Sequence, residues 1–476
     1  GVRFSQFYNT GRCWPTRSSI MTGYYAPQVC MDPPDHESGY RPSWQRLIPH
    51  YLRPCGYRSY HSGKWHIMNV KDPEGFGEFD TSWGTELPPI HFTGPEGEKQ
   101  FSSTVYTEHA LECLRDHHAN HRGTPFFHYV CYTAPHFPVQ AEQADIDKYM
   151  DRYNEGWDVM REQRWQRLRE MGMVNCPLSE READVKAPWY KQEFGEQYGP
   201  GEIEYAAPWD SLTDEQKRFQ ATKMAIHAAM VDRTDREIGR ILDQLRAMGV
   251  YDDTLIFFLS DNGASAEILL RGTHHVDAPP GREDTYLCLG PGWSTHCNTP
   301  FRRHKIWTHE GGVATPLVAS WPNGIAARGE LRHDMGHCID FLPTILDVAG
   351  MPADEIPLPD GAPPLPGRSL VPTVEQDGSV EHPHIYFNHS GNRALRVGDW
   401  KIVSGKASSP VGTPDDSWEL YDLSTDRCEM HDLASEEPNR YREMQERWEQ
   451  YETTYRADSG FEGHSINHNP NEEKDD

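Results

Sequence analysis

Two apolar runs in this chain stop abruptly at residues that carry chemistry, and this limits the folds open to it. Thr254-Leu255-Ile256-Phe257-Phe258-Leu259-Ser260 empties into Asp261-Asn262-Gly263, and Pro125-Phe126-Phe127-His128-Tyr129-Val130-Cys131-Tyr132 runs into Thr133-Ala134-Pro135-His136-Phe137-Pro138. Short apolar runs closed by Pro or Asn-Gly read as buried strands. Polar groups at the carboxyl ends of strands are where open α/β sheets collect ligands. The remaining pattern alternates accordingly. Trp44, Leu47, Ile48, Tyr51 and Leu52 recur at helical spacing before Gly56, and Val105, Leu111 and Leu114 mark a second helix. Thr213 and Gln216 have capping-box spacing ahead of a long stripe from Phe219 to Leu245; 315–321 reads as a strand and 341–350 as a helix closing on glycine. The expected class is α/β, a large, mainly parallel sheet sandwiched by helices over residues 1–375.

Two polar, Pro/Gly-rich insertions interrupt that domain, at about 140–212 and 271–299. Long irregular insertions serve as lids or binding loops, and lids are expected here. In the second, His274, His275, Tyr286, Trp293 and His296 either shape a leaving-group pocket or pack the insertion onto the body. After a proline-rich linker near 363–374, short strands at 385–387, 394–397, 400–403 and 418–423 and a helix near 441–451 predict a small C-terminal α+β domain with an antiparallel sheet over 376–462. The polar run 463–476 is expected to be disordered.

The densest chemistry lies in Cys13-Trp14-Pro15-Thr16-Arg17-Ser18-Ser19-Ile20-Met21-Thr22-Gly23. Pro15 is preset for a first helical turn, so a helix is expected to begin there and stop at Gly23. Cys13 then lies at the helix's positive end, with the permanent cation of Arg17 one turn on, a setting for anions. A buried thiol capping an ordinary helix is the other reading. Gly56 to His66 ends Gly63-Lys64-Trp65-His66. In a strand Lys64 and His66 would share a face, one a point charge and the other able to exchange protons, or would form a solvated edge. Asp261 and Asn262 offer hard oxygen ligands, against the alternative of an Asn-Gly turn. His136 is placed at a strand end, or is a loop histidine bonded to backbone.

Together these segments resemble the type I sulfatases, arylsulfatase A-like members of the alkaline phosphatase superfamily. Cys13-x-Pro15-x-Arg17 followed by Thr22-Gly23 matches the first signature at each fixed position, and Gly63-Lys64-Trp65-His66 the end of the second. The resemblance implies oxidation of Cys13 to formylglycine by a formylglycine-generating enzyme, with residue 13 as nucleophile and a metal ligand. It implies metal ligation by Asp261 and Asn262, to Ca2+ with Mg2+ as the other option. Lys64, Arg17 and Lys305 would offset anionic charge; His136 with Lys305 would protonate the leaving oxygen, and His66 would take a proton from the second hydroxyl of the hydrated aldehyde. Lys305 lies in Asn298-Thr299-Pro300-Phe301-Arg302-Arg303-His304-Lys305, where Arg302 and Arg303 could complete a basic mouth; His309, just beyond, is expected to support rather than catalyse.

Family members open with a strand ending in paired aspartates, expected upstream of Gly1 because Gly1-Val2-Arg3-Phe4 looks like a sulfatase interior. Asp252-Asp253, Asp415-Asp416 and Asp475-Asp476 do not fit that place. Family resemblance also implies a periplasmic or secreted location. The formal net charge of −27 argues against nucleic acid and long sulfated polymers as partners. No apolar run approaches the roughly 18 residues of a membrane span. The expected function is hydrolysis of sulfate monoesters, of an aryl alcohol, another small molecule or a saccharide. Phosphonate or phosphate ester hydrolysis, or anion binding without catalysis, is the alternative.

Overall fold

The computed structural model describes residues 1–33, 35–70, 78–84, 90–93, 99–272, 274–352, 354–405 and 417–463. Asp415, Asp416 and the tail beyond Gly463 lie outside the described residues. Val2–Tyr8 is the hub of a five-stranded sheet. Ala314–Ser320 runs antiparallel to it and Ile256–Leu259 antiparallel to that, while Glu330–Arg332 and Gly336–His337 pair parallel with its other edge. A register shift between Phe4 and Phe7 turns Val2, Phe4 and Phe7 all into the core, which alternation alone would forbid. A second sheet, Thr81–Trp83, Arg58–Gly63 and Phe126–Cys131, is wholly parallel. The α/β class holds, with its larger described sheet mixed because Ala314–Ser320 runs against both neighbours.

Phe126–Cys131 is half-buried rather than buried, because it is an edge strand among the described residues. The helix expected from Trp44 onward is confined to Ile48–Leu52, where Pro49 sits in the first turn. By contrast, the capping box stands as read: Thr213 Oγ1 accepts from Gln216 N at 3.2 Å, and Thr213 N donates to Gln216 Oε1 at 2.9 Å, opening the helix Asp214–Met248. In the core, Phe341 meets Phe7 edge-on at 5.5 Å and Phe257 at 5.1 Å. The Phe341–Val348 helix thereby packs onto the strand that carries Asp261.

Ile385–His389, Asn392–Val397, Trp400–Ser404 and Glu419–Asp422 form an antiparallel meander, covered by the helix Pro438–Asp458. A wholly buried ion cluster joins it to the body: Lys401 Nζ lies 3.0 Å from Glu310 and 2.8 Å from Glu429. Such charges are tolerable inside only because each is paired. A second joint is His382, whose Nε2 lies 2.9 Å from Asp340 Oδ1. The Asp340 carboxylate also accepts the backbone N–H groups of His337 at 2.7 Å and Arg368 at 2.8 Å.

Burial would lower the pKa of His382, but the Asp340 carboxylate outweighs it and the net shift is upward. A raised folded-state value means that stabilisation is complete below about pH 6.5 and is lost as pH rises through the folded value. The thermal midpoint of the parent chain should therefore exceed that of His382→Gln most at mildly acid pH, and the gap should narrow on the alkaline side. A gap independent of pH between 5 and 9 would show that His382 carries no titrating stabilisation.

Candidate active site

The loop between the first strand and Cys13 is shaped by its own side chains. Asn9 Oδ1 accepts the Gly11 N–H at 2.7 Å, and Gly11 takes φ +82°, a conformation that favours glycine. Thr16 Oγ1 lies 3.1 Å from Thr10 N and 2.8 Å from Thr10 Oγ1, tying the loop onto the helix it feeds. That helix, Cys13–Thr22, starts two residues before Pro15, so Cys13 is its first residue and Arg12 the N-cap. All ten of its residues are buried, and Gly23 (φ +76°) ends it by donating to Ser19 O at 2.9 Å. The sulfur at position 13 is thus presented at a fixed point on the positive end of a buried helix.

Arg17 joins three segments. Its Nε and Nη2 lie 2.8 and 2.7 Å from Asp261 Oδ2, and Nη1 donates to Lys64 O at 2.8 Å. The Asp-Asn-Gly segment is more than a surface turn. A Cβ at position 263 would lie 2.0 Å from Gly311 O, so glycine is required for the backbones to meet, and Gly263 N donates to Gly312 O at 3.0 Å. Asn262 Nδ2 donates to Gly263 O at 2.9 Å, leaving Oδ1 buried without a partner among the described residues. Burial would raise the Asp261 pKa, but Arg17 and then Lys64 hold the carboxyl down at about 2.

Lys64 and His66 do not share a strand face. The strand ends at Gly63, whose φ of +108° and missing Cβ let it pass Cys131 O; a Cβ there would lie 2.1 Å from that oxygen. Lys64 N then donates to Cys131 O at 2.8 Å. His66 is left-handed, φ +55°, which costs a non-glycine residue about 1 kcal/mol. Its ring meets Trp14 edge-on at 5.5 Å, and its Nδ1 is buried without a partner among the described residues. Burial first, then the charges of Lys64 and Arg17, hold its pKa well below the ordinary imidazole value. Burial likewise lowers the Lys64 ammonium.

His136 and Lys305 lie side by side. His136 Nδ1 lies 2.6 Å from Phe137 O, so this nitrogen carries the proton and donates it; Nε2 is then an acceptor facing Lys305 Nζ at 3.3 Å. Burial and the charges of Lys305 and Lys64 hold His136 neutral. Lys305 also pairs with Glu267 Oε2 at 2.6 Å, both side chains being 2% exposed. Glu267 further accepts from Ser265 Oγ at 2.7 Å and Trp189 Nε1 at 3.0 Å, and Arg12 lies 4.0 Å away. Burial alone would raise the Glu267 pKa, yet Lys305 and Arg12 lower it. The residue escaped the reading of the sequence. Its signal was a single charge in Ala266-Glu267-Ile268-Leu269-Leu270, a place where a carboxylate must be paired. The loops are stitched together by Lys305 N to Ala264 O at 3.0 Å and Ile306 N to Gly11 O at 2.8 Å.

Four cations, Arg12, Arg17, Lys64 and Lys305, thus surround the end of the Cys13 helix with two carboxylates, Asp261 and Glu267, among them. The excess is positive and mostly buried, a setting for a substrate anion. The expected basic mouth is absent. Arg302 pairs with Glu182 at 3.2 Å and donates to Tyr421 Oη at 3.1 Å, and Arg303 also pairs with Glu182. His309 is buried at the start of Glu310–Val313, with Nε2 2.9 Å from Glu419 Oε2. Trp293 packs with Trp157 at 5.5 Å and Trp209 at 5.8 Å, both of the first insertion, and donates to Gln220 O at 2.7 Å, so it ties the two insertions to each other and to the Asp214–Met248 helix, while His296 lies 5.7 Å from Trp293. His274, His275 and Tyr286 line a cavity of about 180 Å³ with Tyr198 and Phe219. The first insertion carries the helix Gly156–Glu170. Among the described residues no three His, Cys, Asp or Glu side chains converge on a metal position.

Residues 1–351 match the family model described as Sulfatase, and residues 302–456 the model for the C-terminal part of N-sulphoglucosamine sulphohydrolase. An uncharacterized sulfatase of Schizosaccharomyces pombe is 29% identical over 95% of this chain and 87% of its own length. The arylsulfatase of Klebsiella aerogenes is 26% identical over 74% of this chain and 80% of its own. The fold is shared with a phosphonate monoester hydrolase from Silicibacter pomeroyi, with a TM-score of 0.56 and 17% identity over 94% of this chain and 87% of that one. The matched family model spans the Cys13 helix, the Asp261 strand end and the Lys305 loop alike, and the chain belongs to the sulfatase family as a sulfuric ester hydrolase.

Proposed function

We propose that this chain cleaves sulfate monoesters at residue 13 after conversion of its cysteine to formylglycine by a formylglycine-generating enzyme, with Asp261 and Asn262 contributing to a divalent-cation site. The observation that carries the reading is the placement of Cys13 at the head of a buried helix, within electrostatic reach of both Arg17 and Lys64. A carboxylate beside an amide oxygen that is buried without a partner fits a hard cation, Ca2+ or Mg2+. Such an ion, when bound, supplies Lewis-acid stabilisation of negative charge at sulfuryl and nucleophile oxygens. A hydrated aldehyde at position 13 supplies two hydroxyls, one to accept the sulfuryl group and one through which it can be expelled.

The chain's own groups divide the remaining work. Arg17, locked by Asp261 and Lys64 O, holds a cation beside residue 13, and Lys64 and Lys305 balance the sulfate charge. His66, kept neutral by burial and neighbouring cations, has an Nδ1 without a partner among the described residues that can accept the proton released on expulsion. For the leaving oxygen, the available proton resides on Lys305: His136 is neutral at Nε2 and faces the ammonium, so the pair shares one proton. Glu267 positions Lys305 through their ion pair. The substrate is a sulfated small molecule or saccharide.

A second reading, phosphonate ester hydrolysis, is favoured by the fold shared with the phosphonate monoester hydrolase. Turnover of an aryl sulfate should exceed that of the matching aryl phosphonate; clear preference for the phosphonate would reverse the assignment, and failure to turn over either would favour an anion-binding role. The Cys13→Ser variant keeps one hydroxyl but lacks the second. It should take up one sulfate and stall, with the peptide bearing residue 13 gaining the mass of a sulfuryl group; sustained turnover would refute the two-hydroxyl scheme. Glu267→Gln should lower kcat/KM by about ten- to a hundredfold, as loss of a supporting carboxylate commonly does. An unchanged kcat/KM in the folded variant would remove Glu267 from the mechanism.

A further inference from the structure

Cys176 and Cys428 lie 252 residues apart in sequence and meet in the interior. Cys176 belongs to the segment that follows the Gly156–Glu170 helix, and Cys428 to the turn after the Glu419–Asp422 strand. They are 3% and 0% exposed. Their sulfurs are 3.1 Å apart, about 1 Å beyond a covalent S–S bond. Both backbones are fixed independently of the thiols. Trp165 Nε1 donates to Cys176 O at 3.0 Å, while Asp426 Oδ2 accepts Met430 N at 2.7 Å and His431 N at 2.8 Å. Cys428 Sγ also lies 3.0 Å from Pro177 O and 3.5 Å from Pro300 O. Two weak donors held this close by separate scaffolds gain little as thiols, and a small approach would join them.

We infer that Cys176 and Cys428 form a disulfide that fastens the first insertion to the C-terminal sheet domain. The bond would close a very long loop, the case in which a cross-link most restricts the unfolded chain. It would also lie against Pro300, five residues before Lys305, and so brace the approach to the loop that carries that cation. Formation requires a disulfide oxidant such as oxidised glutathione. The Cys176 thiolate attacks one glutathione sulfur and releases a glutathione thiolate; the Cys428 thiolate then attacks the Cys176 sulfur of the mixed disulfide and releases the second. The two protein thiol protons end on the two glutathione molecules, which are reduced as the cysteines are oxidised. Because both sulfurs are enclosed in the folded chain, the exchange precedes closure of the C-terminal turn.

The test is peptide mapping of the full chain refolded in an oxidised/reduced glutathione buffer, denatured, alkylated without reductant and digested with trypsin. The expected product is peptide 170–181 joined to peptide 428–440, lighter by two hydrogen atoms than the sum of the two thiol forms and separated by reduction. A strong reductant should lower the thermal midpoint by several degrees in the parent and leave a Cys176→Ser, Cys428→Ser double variant unmoved. Recovery of both peptides in alkylated form, or of either cysteine joined to a different one, would overturn the assignment.

Discussion

The Arg17–Asp261 pair is the interaction on which the site depends. One guanidinium ties the Cys13 helix to the end of the Ile256–Leu259 strand and, through Lys64 O, to the loop beyond Gly63. Two of those segments follow strands of the five-stranded sheet and the third leaves the parallel sheet, all far apart in the chain, so no local preference could bring them together. The Arg17 side chain is 8% exposed and that of Asp261 23%, and a buried cation that loses its partner is left uncompensated, at a cost in stability. Arg17 cannot relieve that cost by losing its proton, and Asp261 is held ionised beside it. Structure and the proposed chemistry therefore share one constraint: the charges that hold the loops together are those proposed to meet the substrate anion.

Around this centre, glycine sets distances and lysine sets charge. Gly63 and Gly263 are required where backbones pass each other closely, at Cys131 O and Gly311 O. Each close approach places the next polar residue: Lys64 follows the first, and Asp261 and Asn262 precede the second. The Lys305 ammonium sits between a carboxylate and an imidazole, Glu267 on one side and His136 on the other. Burial and two cations disfavour a charged histidine, while Lys305 and Arg12 hold Glu267 ionised.

What was legible in the sequence followed from local rules. Apolar runs end in front of Asp261, Asn262 and His136, and proline and glycine bracket the Cys13 helix, which marks the positions; their roles come from the sulfatase resemblance. The capping box at Thr213 could be read directly from spacing. Lys64 and His66 were identified by residue type but given the wrong backbone, because the turn at Gly63 is imposed by Cys131 on another strand. Arg302 and Arg303 read as able to complete a basic mouth; their partner Glu182 lies 120 and 121 residues away and leaves no local trace. Glu267 was missed for the same reason in reverse, being a carboxylate whose cation is found only in the folded chain.

The central claim is that residue 13 acts as a formylglycine rather than a thiol. Its most direct test is the mass of the tryptic peptide 13–17 from the full-length protein made in a host that has the formylglycine-generating enzyme. The account predicts that the peptide has lost its sulfur and carries an aldehyde, in proportion to the specific activity of the preparation. An unmodified cysteine in a preparation that turns over sulfate esters would contradict it.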